Sequence, residues 1–426
     1  MNLLLITYVF PPMGGPGAQR PLQTARVLAE LGWDVTVLTV ADPPTSLRDD
    51  SALESLPASV RVERAWSLEP TRALQWLRRG RQADGGEGSS AGYSGAPSGF
   101  IRLVQACFMP DEKVGWTPWA VRAARRLHSE RPFDVVLASG PPFTAFRVAS
   151  KVSRRLRVPW VADVRDPLVG NYFFAPATPL HARYLRGFER AVALGAARTV
   201  AATHEIAADI ATRNPEVARR ITTITNGFDP ADFPGTREGR DPEHFTISYV
   251  GSFQGPIRPD TFLGGIERAR AVDPQLARDL RVRFVGPKPS GLSGGAASLV
   301  EATGYVPHGE AVREMEAADV LLLVLGDLPH LRGVLTGKLP EYLGARRPVL
   351  ALVPEGAARD ALERTGAAQI VAPDDPEGVA QAVLRLHRAW KDGSLPEPDP
   401  AVVGEFDRMQ LVKRLSELLR EVASGD

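Results

Sequence analysis

The stretch Gly337-Lys338-Leu339-Pro340-Glu341-Tyr342-Leu343-Gly344-Ala345-Arg346-Arg347-Pro348-Val349-Leu350 decides the fold, because it joins two apolar runs through a short helix. Val320 to Leu325 (Val-Leu-Leu-Leu-Val-Leu) precedes it, and Pro348 to Val353 grows out of its tail. Continuous apolar runs of this length are what parallel strands buried on both faces require. A helix opening at Thr336 or Gly337 leaves unpaired, positive backbone N–H groups that suit a phosphate, and Lys338 adds a full charge there. Glu341 sits about one turn further on. Its carboxylate would repel a phosphate, yet it could accept both hydroxyls of a ribose attached to one. The same window also fits an ordinary amphipathic helix whose Lys and Glu are simply solvated.

Working outward, 426 residues are too many for one comfortable core and fit two α/β domains of roughly 200 residues each. The chain has 51 basic and 50 acidic residues, a formal charge of +1. That balance gives no electrostatic case for a nucleic-acid partner. The single cysteine, Cys107, excludes an internal disulfide and a cysteine-rich metal site, and points to a reducing, cytoplasmic setting. Asn2 to Thr7 follows Met1 without a basic leader and reads as a first strand rather than a signal peptide. No apolar run approaches the roughly 20 residues that span a bilayer, which leaves peripheral membrane contact open.

In the first half, Leu3 to Val9 reads as a buried strand, Pro11 to Gly17 as a loop carrying Gly14, Gly15 and Gly17, and Ala18 to Leu31 as a helix before the strand Val35 to Val40. This is a βαβ unit whose glycines let backbone approach a bound group. The third glycine of a dinucleotide fingerprint is absent, because Ala18-Gln19-Arg20 follows. Arg20 is either a ligand contact or a helix-surface residue. Residues 78 to 99 hold too little apolar surface to fold alone and read as a mobile loop. Further on, Phe133 to Ala138 ends in Ser139-Gly140-Pro141-Pro142, and Trp160 to Val164 ends in Asp163-Val164-Arg165-Asp166-Pro167. Ligands of doubly wound sheets bind just beyond such strand ends. Clustered Asp163, Arg165 and Asp166 must pair with one another or hold a polar ligand. His204 follows the strand Thr199 to Thr203 and either faces a ligand or is a capping or surface residue. No H-x-x-x-H pair occurs, so no metal site is expected.

The second half starts after a polar linker, Pro230 to His244, with the strand Phe245 to Val250 and the loop Gly251-Ser252 up to Arg258. Gly304-Tyr305-Val306-Pro307-His308 precedes a helix expected from Ala311 to Ala317.

Several of these motifs together resemble family 4 glycosyltransferases of the GT-B fold, in which two Rossmann-like doubly wound parallel-sheet domains face each other across a cleft. The resemblance rests on Lys338 to Val349, on Ser139 to Pro142, on Asp163 to Pro167, on Thr225-Asn226-Gly227-Phe228-Asp229 and on the Gly14-Gly15 loop. Asp-x-Arg-Asp-Pro is similar to the hallmark of one branch of that family. The resemblance implies an N-terminal acceptor domain over 1–232, a C-terminal nucleotide-sugar domain over 243–400, and a final helix over 401–426 that packs back on the first. It further implies transfer of a sugar from a nucleoside-diphosphate sugar to an acceptor hydroxyl, with retention, without a metal and without a cofactor. UDP is the commonest donor nucleotide of such enzymes. Glu341 matches the ribose-binding glutamate, Lys338 and Arg258 are the candidates for the pyrophosphate, and Thr336, Gly337, Gly251 and Ser252 line the same place. Val306 and Pro307 would hold the base through backbone atoms. Asp163 and Asp166 would orient the acceptor with Arg165 buttressing them. Where the family carries a further glutamate this chain has Gly333, so backbone of 333–335 would replace a side chain. A nucleotide-sugar epimerase or hydrolase, or a scaffold without turnover, are the alternatives on the same fold.

Overall fold

The computed structural model describes residues 1–42, 49, 51–68, 108–171, 176, 178–253, 255, 257–289, 298–327, 333 and 335–425. The loop expected at 78–99 lies outside them. The described chain forms two compact units, Met1–Thr225 with Val412–Asp426, and Asn226–Leu411.

The first unit is a seven-stranded parallel sheet. Its strands are β1 (Asn2–Thr7), β2 (Asp34–Val40), β3 (Arg61–Ala65), β4 (Val135–Gly140), β5 (Trp160–Val164), β6 (Arg198–Ala201) and β7 (Ile221–Thr223). Helices α1 (Pro16–Glu30), α2 (Thr117–Glu130), α3 (Thr144–Leu156), α4 (Pro179–Gly195) and α5 (His204–Arg213) connect them. The order β3-β2-β1-β4-β5-β6-β7 is a doubly wound sheet whose direction of winding reverses between β1 and β4.

The second unit repeats the scheme with β8 (Phe245–Val250), β9 (Leu280–Val285), β10 (Val300–Ala302), β11 (Val320–Val324), β12 (Val349–Leu352) and β13 (Ala368–Val371). Its helices are α6 (Asp260–Val272), α7 (Pro274–Asp279), α8 (His308–Ala317), α9 (Lys338–Gly344), α10 (Ala357–Arg364), α11 (Pro376–Lys391) and α12 (Pro400–Gly404). The order β10-β9-β8-β11-β12-β13 puts the reversal between β8 and β11. A last helix, α13 (Arg408–Ser424), follows.

Continuous Leu, Val and Ile runs form the inner strands because both of their faces are covered. Leu3 to Ile6 and Val320 to Leu323 are all at most 1 % exposed. The edge strands β3 and β10 have no counterpart among the strands expected from sequence. β3 carries Arg61, Glu63 and Arg64, and only Ala65 is fully buried. Charges on an edge hide the apolar pattern by which a strand is read, and they also guard that edge against stray pairing.

The units divide earlier than 232 and later than 401. Phe228 and Phe406 are buried in the core of the second unit beside Tyr342, with Phe233 packed against them, and the Phe228 N–H donates to the Phe406 carbonyl at 3.0 Å. From Val412 onward α13 belongs with the first unit, where Trp33 Nε1 donates to Ser416 Oγ at 2.8 Å.

Candidate functional site

In the second unit the polar groups gather where β8 and β11 part. These strands pair only at Val320 with Ile247 and Leu321 with Ser248, so the backbone beyond needs other partners. Tyr342 supplies one. Its buried hydroxyl accepts from Val250 N at 3.0 Å and donates to the Leu322 carbonyl at 3.2 Å. The tyrosine thereby pins α9 under the gap and fixes the face that Lys338 and Glu341 present. Gly251 follows with φ of 118°, and a β-carbon there would meet Lys338 Cε at 2.6 Å. Only glycine allows the strand end and the lysine stem to come so close.

Lys338 Nζ donates to Tyr249 Oη at 2.5 Å and lies 3.8 Å from the centre of that ring. Tyr249 in turn donates to the Ser252 carbonyl at 3.0 Å, and Phe253 stacks on its ring. Burial lowers the pKa of the amine to about 7, with Glu341 pulling it back up. The amine therefore sits close to its titration point and gains from any anion that arrives. Thr336 Oγ1 is buried and has no hydrogen-bond partner among the described residues.

Glu341 has no hydrogen bond or ion pair among the described residues, although it is only partly exposed. Burial pushes its pKa up, while His308, Arg408 and Lys338 draw it down and Asp232 adds to the rise. A carboxylate held in place without a donor is an acceptor awaiting a ligand. His308 opens α8 and lies 3.4 Å from Asp232 Oδ2; that contact and Glu341 raise its pKa. Arg408 Nη2 donates to the Gly227 carbonyl at 2.6 Å.

Three expectations change here. Arg258 is 67 % exposed and turned onto Asp260 at 2.8 Å, so the structure does not bring it to Lys338 as a second cation. An acid two residues away takes the guanidinium. Pro307 has no N–H, and its carbonyl accepts from Glu310 N and Ala311 N at 3.0 Å each. The helix begins at His308 rather than Ala311 and consumes the backbone group that base recognition would need. Val306, partly buried against the core, keeps its place in the loop. Finally, α9 opens at Lys338 with Gly337 as its cap, and Leu339 N is already bonded to the Thr336 carbonyl.

The first unit builds its own cluster at the β4 and β5 ends. Arg20 Nη2 donates to Asp163 Oδ1 at 2.7 Å and Arg20 Nε to Oδ2 at 3.2 Å. Ser139 Oγ adds a third bond, to Oδ2 at 2.7 Å. Arg20 also reaches the Thr225 and Ile224 carbonyls at 2.9 and 3.0 Å. Asp163 is therefore filled from within, and its partner is Arg20 rather than the expected Arg165. Arg165 instead donates to the Gly17 and Pro141 carbonyls, tying the glycine loop to the end of β4. Gly15 caps α1 with φ of 96° and Pro16 takes the first helical position, where its missing N–H costs nothing. Gly14 is half-buried.

Asp166 differs from Asp163. It has no hydrogen bond among the described residues, and burial raises its pKa against the pull of Arg165. His204 is exposed at the first turn of α5, 3.3 Å from Thr223 Oγ1, and Thr203 rather than His204 caps that helix. Among the described residues no group of three His, Cys, Asp or Glu is placed to hold a metal ion, and no helix is long and apolar enough to cross a membrane.

The family model for Glycosyltransferase Family 4 matches residues 18–232, half of the chain. The chain belongs to glycosyltransferase family 4. A second model, for glycosyl transferases group 1, matches residues 244–389, within the second unit. No curated protein matches the sequence. Among solved structures, sucrose-phosphate synthase from Thermosynechococcus elongatus is similar at 15 % identity, TM-score 0.63, with 100 % of both chains covered. Anabaena HepE in complex with UDP is similar at 14 % identity, TM-score 0.63, covering 99 % of this chain and 100 % of that one. A putative UDP-N-acetylglucosamine 2-epimerase from Listeria monocytogenes is similar at 11 % identity, TM-score 0.56, covering 100 % and 97 %. At these identities the likeness is one of fold, the GT-B fold of two Rossmann-like domains.

Sequence alone singled out Lys338, Glu341, Gly251 and the aspartates as candidates. It missed Arg20 as the partner of Asp163 and it missed His308. The second could have been found, since His308 directly follows Val306-Pro307. Arg20 and Asp163 are 143 positions apart and only the sheet order unites them.

Proposed function

We propose that this chain transfers a sugar from a nucleoside-diphosphate sugar to an acceptor hydroxyl, with retention at the anomeric carbon and without a metal ion. The observation that carries the reading is Glu341, a positioned carboxylate with no donor of its own, three residues from the Lys338 amine. Such a pair suits a ribose diphosphate: the carboxylate accepts the two ribose hydroxyls, and the ammonium takes the diphosphate oxygens. The Thr336 hydroxyl, buried without a partner, supplies a further donor to the diphosphate or the sugar, in place of the side chain that Gly333 lacks.

In the transfer step the bond from the anomeric carbon to the diphosphate oxygen breaks and a bond from the acceptor oxygen forms on the same face. The acceptor proton leaves with the departing phosphate oxygen. Lys338 stabilises the charge that develops on the diphosphate. Asp166, which has no donor among the described residues, accepts a hydrogen bond from the acceptor hydroxyl. Asp163 holds its surroundings through Arg20 and Ser139. UDP is the first nucleotide to test, since HepE was solved with UDP.

The test is the thermal midpoint of the full chain with UDP, GDP, ADP, CDP and dTDP, each with and without magnesium. A ligand that binds only the folded state must raise it. A rise with one diphosphate that does not need magnesium is expected. No rise with any of the five removes the basis of the proposal.

A further inference from the structure

A groove between α2 and α3 of the first unit shares no lining residue with the groups described so far. It encloses about 430 Å³, lined by Arg122 and Arg125 from α2, Arg147, Lys151 and Arg155 from α3, and Thr117 at the start of α2. Val114, Pro118 and Val121 add apolar lining, and no carboxylate lines it among the described residues. The three cations of α3 recur every four residues and so share one face of the helix.

The lining cations contrast with a neighbour on the same helix. Arg126, on the same helix α2, is paired with Glu63 and Glu130 at 2.7 Å each. Arg122, Arg125, Lys151 and Arg155 have no ion pair among the described residues. Two buried polar atoms among the lining residues also lack partners. Thr117 is 4 % exposed and its Oγ1 has no hydrogen bond among the described residues. Arg147 donates to Tyr184 Oη through Nη1 at 3.1 Å, while its Nε is left without an acceptor. Orphaned buried donors of this kind are costly in a folded protein and are ordinarily met by water or a ligand. Crowding cations together adds self-repulsion, visible in the pKa of Lys151, which burial and then Arg147, Arg155 and Arg154 push down. An anion would relieve both.

We propose that this groove binds a phosphate- or pyrophosphate-bearing ligand, at a site separate from the one built around Lys338. Guanidinium groups match phosphate oxygens two at a time, and the Thr117 hydroxyl is a further donor. The phosphate belongs either to a soluble compound or to a lipid headgroup.

The full chain carrying Lys338→Met, which disables the other diphosphate site, is titrated with inorganic pyrophosphate by calorimetry. The expected result is binding that weakens with added salt. It also weakens about tenfold or more in Lys151→Gln with Arg155→Gln, and separately in Arg122→Gln with Arg125→Gln, as the loss of charge-assisted contacts requires. Arg126→Gln leaves it unchanged. Two double variants on opposite walls guard against one that simply misfolds. In parallel the chain is sedimented with phosphatidylcholine vesicles, with and without phosphatidylglycerol. Pelleting that needs phosphatidylglycerol and is lost in both double variants assigns the phosphate to a lipid headgroup. Pyrophosphate binding without pelleting assigns it to a soluble ligand. Absence of both kinds of binding, or binding that both double variants retain, overturns the proposal.

Discussion

Replacing Tyr342 with phenylalanine tests how the second unit holds its site open. The substitution removes one oxygen and leaves the ring in place. In the native structure that oxygen accepts from Val250 N at 3.0 Å and donates to the Leu322 carbonyl at 3.2 Å, in a place where Tyr342 is fully buried. The bond at Val250 N is buried, so without its acceptor the N–H bears a desolvation cost of about 1–3 kcal/mol, and the lost bond to Leu322 adds about 1 kcal/mol. The expected loss is therefore about 2–4 kcal/mol in the second unit. Urea unfolding followed by hydrogen exchange reports it, since peptides covering Phe245–Val250 should exchange faster while those of the first unit do not change. Diphosphate affinity should fall as well, because Val250 precedes Gly251, which touches Lys338. A cost below about 0.5 kcal/mol, the range of an ordinary surface change, with unchanged exchange at Val250, would refute the account of this tyrosine.

Further outcomes follow from the charges. Lys338→Met should raise the thermal midpoint of the free protein, because the buried amine is held below its ordinary pKa. The unfolded chain takes up a proton at this lysine from about pH 10 downward, the folded chain only near pH 7, so stability contributed by this group falls as pH drops across that window. For the same reason diphosphate binding near pH 7.5 should take up protons, which calorimetry in buffers of different ionisation enthalpy measures; zero uptake would count against Lys338 as the phosphate ligand. Arg20→Ala should cost the first unit about 3–5 kcal/mol by stranding the buried Asp163 carboxylate, read as a lower urea midpoint. Asp166→Asn should instead leave the fold as stable or more so at neutral pH. Its raised folded pKa means that its charged form is the disfavoured one, so stability from this group is lost as pH rises. The same variant should lower transfer to the acceptor while sparing donor binding.

The sequence showed the inner strands plainly because each is an unbroken apolar run, and it showed the loop positions that follow them. It did not show β3 or β10, whose charged, half-exposed residues carry no such run. Lys338 and Glu341 were legible because their spacing along one short helix is itself the signal. Arg165 was not, since its partners are the backbone carbonyls of Gly17 and Pro141, which leave no mark in side-chain pattern. Arg258 misled for a local reason: Asp260, two residues on, takes its charge. Tyr342 was quoted only as part of a motif, and its function as a backbone substitute emerges once β8 and β11 are seen to separate after two paired positions.

In the proposed function Glu341 accepts the ribose hydroxyls of a bound nucleoside diphosphate. The most direct measurement compares the affinity of wild type and Glu341→Ala for the responding diphosphate and for its 2′,3′-dideoxy analogue. The expected loss is about 3–6 kcal/mol for the normal nucleotide, two hydrogen bonds to a charged group, and almost none for the analogue. Equal losses for both nucleotides, or no loss for either, would contradict it.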